Sequence, residues 1–292
     1  MHGRDGKLIL AVVVIGVLWG LNWPAVKFML SEVPPLTLRA MAFPLAAVIL
    51  AAIARDRRLA FLPPRNEWPL MVVTGLLVVF GFNMMSTFGQ LHTEASMAVI
   101  IAYTMPGMTA VLAALILKER IAPRQVAAVW LATSGVGVLV SEDLPGLFRD
   151  PLGLTFMLLA AFFWALGNIA LKSRSWSLSS IVLTVWFFVF SAILSWPIAF
   201  IFESPLDQGL PSPAVAWTFA YHVIGPMVIC YALWTVIVER LPASIAAITA
   251  LLAPIVGVTS AVVLLGEPVS WQKSLALLLV LTSIALALAS RR

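Results

Sequence analysis

Apolar runs of about twenty residues follow one another along this chain, separated by short polar breaks. The runs are read at 8–30, 36–54, 68–91, 95–117, 121–141, 151–171, 180–202, 215–238, 244–265 and 271–289. Crossing a hydrocarbon core of about 30 Å takes about 20 mostly apolar residues in helical form. Each run is near that length, so the pattern predicts an all-α membrane protein with ten transmembrane helices. The joints are Ser31 to Pro35, Arg55 to Glu67, His92 to Glu94, Lys118 to Arg120, Glu142 to Asp150, Lys172 to Ser179, Glu203 to Pro213, Glu239 to Pro242 and Gly266 to Ser270. None is long enough to be a soluble domain.

The fourth and ninth runs repeat each other. Sliding Ala95–Gln125 by 148 positions lays it on Ala243–Lys273, pairing Ala95/Ala243, Ser96/Ser244, Pro106/Pro254 and Glu119/Glu267 without a gap. Alanine matches mean little in so apolar a chain. Serine, proline and glutamate matching at one offset point to internal duplication. The first helices agree at an offset of 145, where Trp19, Ala25 and Lys27 fall on Trp164, Ala170 and Lys172. The expected units are 1–145 and 146–292. Five spans per unit is an odd number, so the second copy enters the membrane from the opposite side: the chain reads as two inverted five-helix repeats. Two such halves can exchange conformations and open a shared cavity alternately to each side, which is a transporter's architecture.

Composition agrees with the pattern. Hydrophobic residues make up 62% of the chain, charged residues 11%, and mean hydropathy is +1.03, against roughly 25% charged in soluble domains. The net charge of +5 would fit a nucleic-acid binder if it formed one patch. Instead the basic residues sit at helix ends, so no nucleic-acid partner is expected. Arg4, Lys7, Arg55, Arg57, Arg58, Arg65, Lys118, Arg120, Arg124, Lys172, Arg174, Arg240, Arg291 and Arg292 share one side. The other holds Lys27, Arg149 and Lys273, with Arg39 just inside the second span. By the positive-inside rule the expected location is a bacterial inner membrane, multi-pass, with both termini cytoplasmic and the first run a retained helix rather than a signal peptide. Cys230 is the single cysteine and there is no GxxxxGK[ST] loop, so no disulfide, metal cluster, cofactor or direct use of ATP is expected.

Every acidic residue lies in or beside a joint. Ion-coupled pumps commonly keep a carboxylate near the midplane; without one, the expectation is uniport, facilitated efflux, or coupling through some other group. The uncharged polar and aromatic residues near span centres are the candidates for substrate binding: Trp19 and Asn22, Asn83, Ser86 and Thr87, Tyr103 and Thr104, Trp164 and Asn168, and Tyr231, Trp234 and Thr235. An unpaired amide in hydrocarbon costs several kcal/mol, so Asn22, Asn83 and Asn168 face another helix or a watery cavity. Trp68, Trp130, Trp176, Trp217 and Trp271 sit near span ends and read as interface anchors. Pro106 with Gly107, and Pro254, interrupt the duplicated spans as paired hinge candidates, a static kink being the alternative. Arg39 and Lys27 are candidates to attract a carboxylate, with snorkelling to lipid headgroups or pairing with Glu32 as the alternatives; His222 reads as a hydrogen-bonded histidine. The small faces at Ser134, Gly135 and Gly137 and at Ala276, Ala285, Ala287 and Ala289 fit internal packing or a dimer seam, so a monomer or weak homodimer is expected.

Taken together, Trp19-Gly20 and Asn22 with Lys27, Pro35 and Arg39 entering the second span, and the A-S-x-A…P…E stretch at 95–119 and 243–267 resemble the drug/metabolite transporter superfamily, in particular its EamA-type members, over essentially the whole chain. Ala165 departs from the pattern, standing where Gly20 follows Trp19. The resemblance implies a secondary transporter that exports small metabolites from the cytoplasm within a lipid bilayer. Overall likeness to bacterial exporters of aromatic or other neutral amino acids favours that cargo. A multidrug or lipid-handling carrier of the same superfamily is the alternative. No nucleophile, base and orienting group converge in any segment, so no enzyme is expected.

Overall fold

A computed structural model describes residues 2–118, 123–240 and 243–289, and every regular element among them is helical. In chain order these are α1 (His2–Met29), α2 (Pro35–Asp56), α3 (Arg65–His92), α4 (Ala95–Ala102), α5 (Met105–Leu117), α6 (Pro123–Val140), the short α7 (Leu144–Arg149), α8 (Leu152–Lys172), α9 (Ser180–Phe202), α10 (Pro213–Ile237), α11 (Ala243–Leu265) and α12 (Trp271–Ala289). Seven helical stretches among the described residues are long and apolar enough to cross a membrane; Leu252–Leu265 and Trp271–Leu286 are shorter apolar helices. Glu119, the duplicate of Glu267, lies outside the described residues.

Two departures from the sequence expectation have local causes. The run at 95–117 is broken: α4 ends at Ala102, Tyr103 and Thr104 form a turn, and α5 restarts with Pro106 in its first turn. Proline is tolerated there because that N–H needs no helical acceptor. Its duplicate Pro254 lies inside an uninterrupted α11, which α1 grips along its length. The second departure is the acidic joint at 142–150, which coils into α7 with Asp143 accepting from the Gly146 N–H at 2.9 Å.

The joint carboxylates explain their own placement. The first N–H groups of a helix lack partners and carry partial positive charge. Glu203 accepts from the Leu36 and Thr37 N–H groups at 3.0 and 2.7 Å, tying the end of α9 to the start of α2. Glu267 accepts from the Ala95 and Ser96 N–H groups at 2.7 and 2.9 Å, and Glu67 accepts from Ser177 and pairs with Arg174. Glu32 takes the Ser212 N–H and hydroxyl rather than Lys27, and these bonds hold its carboxyl below the usual range. Lys27 instead donates to the carbonyls of Gln90 and Thr93 at the end of α3. Lys273 pairs with Glu94.

Small residues set the helix spacing. At Gly20 a Cβ would stand 2.5 Å from Val256 Cβ and 2.9 Å from the Ala253 carbonyl oxygen, so α1 and α11 touch almost backbone to backbone. In α8 the corresponding close approach is made by Gly167 against Val78, two positions past Ala165. Gly135 packs on the Ala276 carbonyl, which assigns that pair of small residues to the α6–α12 contact within the chain. Trp130, Trp217 and Trp271 are exposed on the helix surface, whereas Trp68 packs edge-on against Trp186 with ring centres 4.7 Å apart.

Gly20→Ala is expected to destabilise the protein by about 1–3 kcal/mol through overpacking, read as a lower unfolding temperature in detergent. Gly137→Ala, where a Cβ meets nothing within 4 Å, is the control and stays within about 0.5 kcal/mol. Equal melting of the two variants contradicts the close α1–α11 contact.

Candidate functional site

Five helices, α1, α2, α3, α8 and α10, bring their polar and aromatic side chains to one place. Arg39, on the buried face of α2, has essentially no exposed surface. Its Nε donates to Thr87 Oγ1 on α3 at 2.6 Å, and its Nη1 donates to His222 Nε2 on α10 at 2.9 Å. The other imidazole nitrogen, Nδ1, is 2.6 Å from Asn22 Oδ1 on α1. Thr87 donates in turn to the Asn83 carbonyl one turn back at 2.6 Å. The Asn83 amide donates to Tyr231 Oη on α10 at 2.8 Å. One connected polar chain therefore runs through four helices. Among the described spans no carboxylate touches it.

Backbone geometry supplies the remaining partners. Leu76–Gly81 in α3 and Val223–Cys230 in α10 are wound as π-helix. Such turns alter the i→i−4 ladder and recur at functional sites. Carbonyls of these two segments accept side-chain bonds: Val79 from Asn83 Nδ2 at 2.8 Å, Val78 from Tyr231 Oη at 3.3 Å, and Pro226 from Trp19 Nε1 at 3.3 Å.

Beside the polar chain stands an aromatic box. Trp19 lies 5.6 Å from Trp164, 5.8 Å from Tyr231 and 5.5 Å from Trp234, centre to centre; Trp164 is 5.9 Å from Trp234, and Phe82 adds a wall at 4.8 Å from Trp164. Edge-to-face and tilted pairs at these distances are attractive. Asn168 closes the box: its amide donates to the Trp164 carbonyl at 2.8 Å, and its Oδ1 accepts from Trp234 Nε1 at 3.4 Å. Next to Trp234, Thr235 lines a cleft of about 220 Å³ with Leu171, Lys172, Arg174 and Ser180. The arrangement sets a cluster of aromatic rings beside a buried cation and several amides, the apolar and polar groups that an amphipathic molecule would need as partners.

The EamA-like transporter family matches residues 6–141 and again 151–289. The chain belongs to the EamA-like transporter family. A protein of Escherichia coli, described as a probable amino-acid metabolite efflux pump, is 30% identical over 97% of this chain and 94% of its own length. A Salmonella typhimurium protein with the same description is 31% identical over 91% and 89%. A Bacillus subtilis relative, at 27% identity over 96% and 90%, is described as an uncharacterized transporter. A solved crystal structure has the same fold, with a TM-score of 0.72 and 22% identity over 97% of this chain and 96% of the other. This EamA-like chain is thus a multi-pass membrane transporter and not an enzyme.

Of the residues singled out in the sequence, Trp19, Asn22, Arg39, Asn83, Trp164, Asn168, Tyr231 and Trp234 meet in this EamA-like site. Ser86 is buried on α3 and donates to the Asn83 carbonyl at 3.1 Å. Tyr103 is buried with Trp23 and Ala253 in a neighbouring apolar cluster, against which Trp19 and Phe82 of the box pack. Pro106 and Gly107 sit at the start of α5, away from the aromatic box; a Cβ at Gly107 would meet only ordinary contacts near 3.7 Å. His222 is a hydrogen-bonded histidine, as read from the sequence, and its two bonds link α1 to α2. A histidine in an otherwise uncharged span was its one signal. The Pro226 carbonyl and the π turns left none.

Thr87→Val keeps the volume of Thr87 but removes the bonds to Arg39 and to the Asn83 carbonyl. It is expected to cost about 1–3 kcal/mol, seen as a lower unfolding temperature, with Thr87→Ser restoring most of it. Wild-type stability in Thr87→Val contradicts the polar chain.

Proposed function

We propose that this protein exports amino acids, aromatic or other neutral ones, across a bacterial inner membrane by alternating access, with Trp19, Asn22, Arg39, Asn83, Ser86, Trp164, Asn168, Tyr231 and Trp234 forming the cargo chamber. The observation that carries this reading is a buried guanidinium without a carboxylate, set beside a box of three tryptophans and a tyrosine. An amino acid supplies what each half lacks: an apolar or aromatic side chain for the box, and a carboxylate for Arg39. The amides of Asn22, Asn83 and Asn168 offer oxygens to its ammonium group. The relatives described as amino-acid metabolite efflux pumps support the same cargo class and direction.

The chamber is shared by two inverted five-helix repeats, 1–145 and 146–292, with ten spans in all. Three observations support this. The family matches twice, over 6–141 and 151–289. The helix contacts are reciprocal, since α2 packs on α9 and α6 on α12, while α1 on α11 is mirrored by α8 on α4 and α5. The joint carboxylates are reciprocal as well: Glu203 after α9 ties down the start of α2, and Glu67 after α2 ties down the approach to α9. Charge placement orients the assembly with both termini in the cytoplasm, which puts the cleft of Lys172, Arg174 and Thr235 on the loading side. Pro106 with Gly107, and Pro254, are the hinge pair; the break at Tyr103–Thr104 lets α5 move relative to α4, while Pro254 frees a backbone carbonyl inside α11. The transporter acts as a monomer or weak homodimer and needs no cofactor.

Counterflow into proteoliposomes of the purified protein, screened over labelled amino acids without ATP, is expected to give flux for phenylalanine-like substrates. No flux for any amino acid, with flux of hydrophobic cations or lipids instead, overturns the cargo assignment. Trp164→Ala and Asn83→Ala are expected to lower flux at least about tenfold, the cost of about 1.4 kcal/mol in the transition state, without lowering membrane abundance. Unaltered flux in both removes these residues from the chamber.

A further inference from the structure

We propose that Arg39 and His222 form an acid-dependent carboxylate site, in which a proton on His222 and the carboxylate of the cargo bind in concert. The proposal rests on the chamber described above and adds the residue through which pH acts on carboxylate binding. A guanidinium has no acceptor, so His222 Nε2, 2.9 Å from Arg39 Nη1, must accept. His222 Nδ1, 2.6 Å from Asn22 Oδ1, then carries the hydrogen and donates it. Both nitrogens of a neutral imidazole are thereby engaged, in a defined tautomer.

A proton can enter this imidazole only at Nε2, the atom facing Arg39. Its arrival turns an acceptor into a donor and sets two cations against each other in a low-dielectric interior, where their repulsion is far stronger than in water. An anion placed between them removes the conflict. It accepts from the new Nε2–H and from the guanidinium, whose Nη2 makes no hydrogen bond among the described residues. Carboxylate and proton therefore each favour the arrival of the other. The balance is simple: one carboxylate and one proton enter, the Arg39–His222 bond breaks, and two charge-assisted bonds form.

The surroundings leave His222 as the group that carries this proton. Arg39 is the charged side chain facing it from α2. Asn22 on α1 and Thr87 on α3 are neutral. Lys27, further along α1, is held by the carbonyls of Gln90 and Thr93. On α10 itself, the Tyr221 hydroxyl donates to the Leu18 carbonyl and the Tyr231 hydroxyl to the Val78 carbonyl. No carboxylate of the described spans faces the pair. His222 also directly precedes the π segment Val223–Cys230. Reversion of one π turn to α geometry rotates the helix on one side of it by about 100° relative to the other, enough to part His222 from Arg39 and admit an anion.

The test uses benzoate, which stays ionised above about pH 5, and phenethylamine, which has the ring but no carboxylate, binding to the full-length protein in nanodiscs. Benzoate binding is expected to tighten about tenfold from about pH 8 to about pH 5.5 across the histidine range; phenethylamine binding gains nothing from acid. His222→Gln, which keeps an acceptor for Arg39 but takes no proton, loses the acid dependence, and Arg39→Gln loses benzoate binding at every pH. The same acid dependence in His222→Gln, acid-weakened benzoate binding, or no benzoate binding overturns the proposal. Nitrogen NMR of labelled histidine gives a check on the wild type alone: the Nδ1–H tautomer near neutral pH is expected, and the Nε2–H tautomer contradicts the mechanism. Acid-dependent benzoate binding together with failure of every amino acid in the flux assay rejects the cargo class while leaving the Arg39–His222 site standing.

Discussion

A guanidinium buried inside a membrane protein has to be held by something, and the organisation of the central helices follows from how Arg39 is held. Removing such a charge from water costs several kcal/mol even after relaxation. Here no carboxylate of the described spans repays it. Instead Thr87 and His222 take two of its donors, Asn22 and Asn83 fix those two residues, and Tyr231 fixes Asn83. Four helices are locked in register by this chain. The same chain leaves the site electrically unfinished, with a cation waiting beside an aromatic enclosure. In the function proposed here, a cargo carboxylate makes up that deficit.

The backbone works to the same rule. Within hydrocarbon each carbonyl and N–H needs a partner from the protein, and the π turns of α3 and α10 provide carbonyls for Asn83, Tyr231 and Trp19 where the chamber needs them. At the membrane edges the joint carboxylates satisfy helix N-termini across the molecule, α9 to α2 and α11 to α4. These are reversible polar contacts between segments far apart in sequence. Their acidic residues sit at the edge because a carboxylate is stable there only with N–H groups or a cation in reach.

Much of this was legible in the sequence. Span length and hydropathy gave the helical membrane class, and the rarity of polar residues in spans made Trp19, Asn22, Arg39, Asn83, Trp164, Asn168, Tyr231 and Trp234 stand out before any fold was known. In hydrocarbon an isolated amide is too costly to be incidental, so rarity itself carries information. The break in the run at 95–117 was visible as Pro106, but not that the helix would restart there while Pro254 is absorbed within α11. The proline is the same in both copies, and the packing against it differs. Tyr103 falls in the apolar cluster that Trp19 and Phe82 pack against, a placement that depth in a span does not record. His222 was legible as a hydrogen-bonded histidine, but its partners on α1 and α2 lie at sequence separations of 200 and 183 residues, which no local pattern records.

The most direct test of the central claim, that the aromatic box and the Arg39 chain form one chamber for an amino acid, is an experimental structure with a transported amino acid bound. The account predicts the side chain seated against Trp19, Trp164 and Trp234 and the carboxylate within hydrogen-bond distance of Arg39. A ligand bound elsewhere in the protein, or one whose carboxylate points away from Arg39, would contradict it.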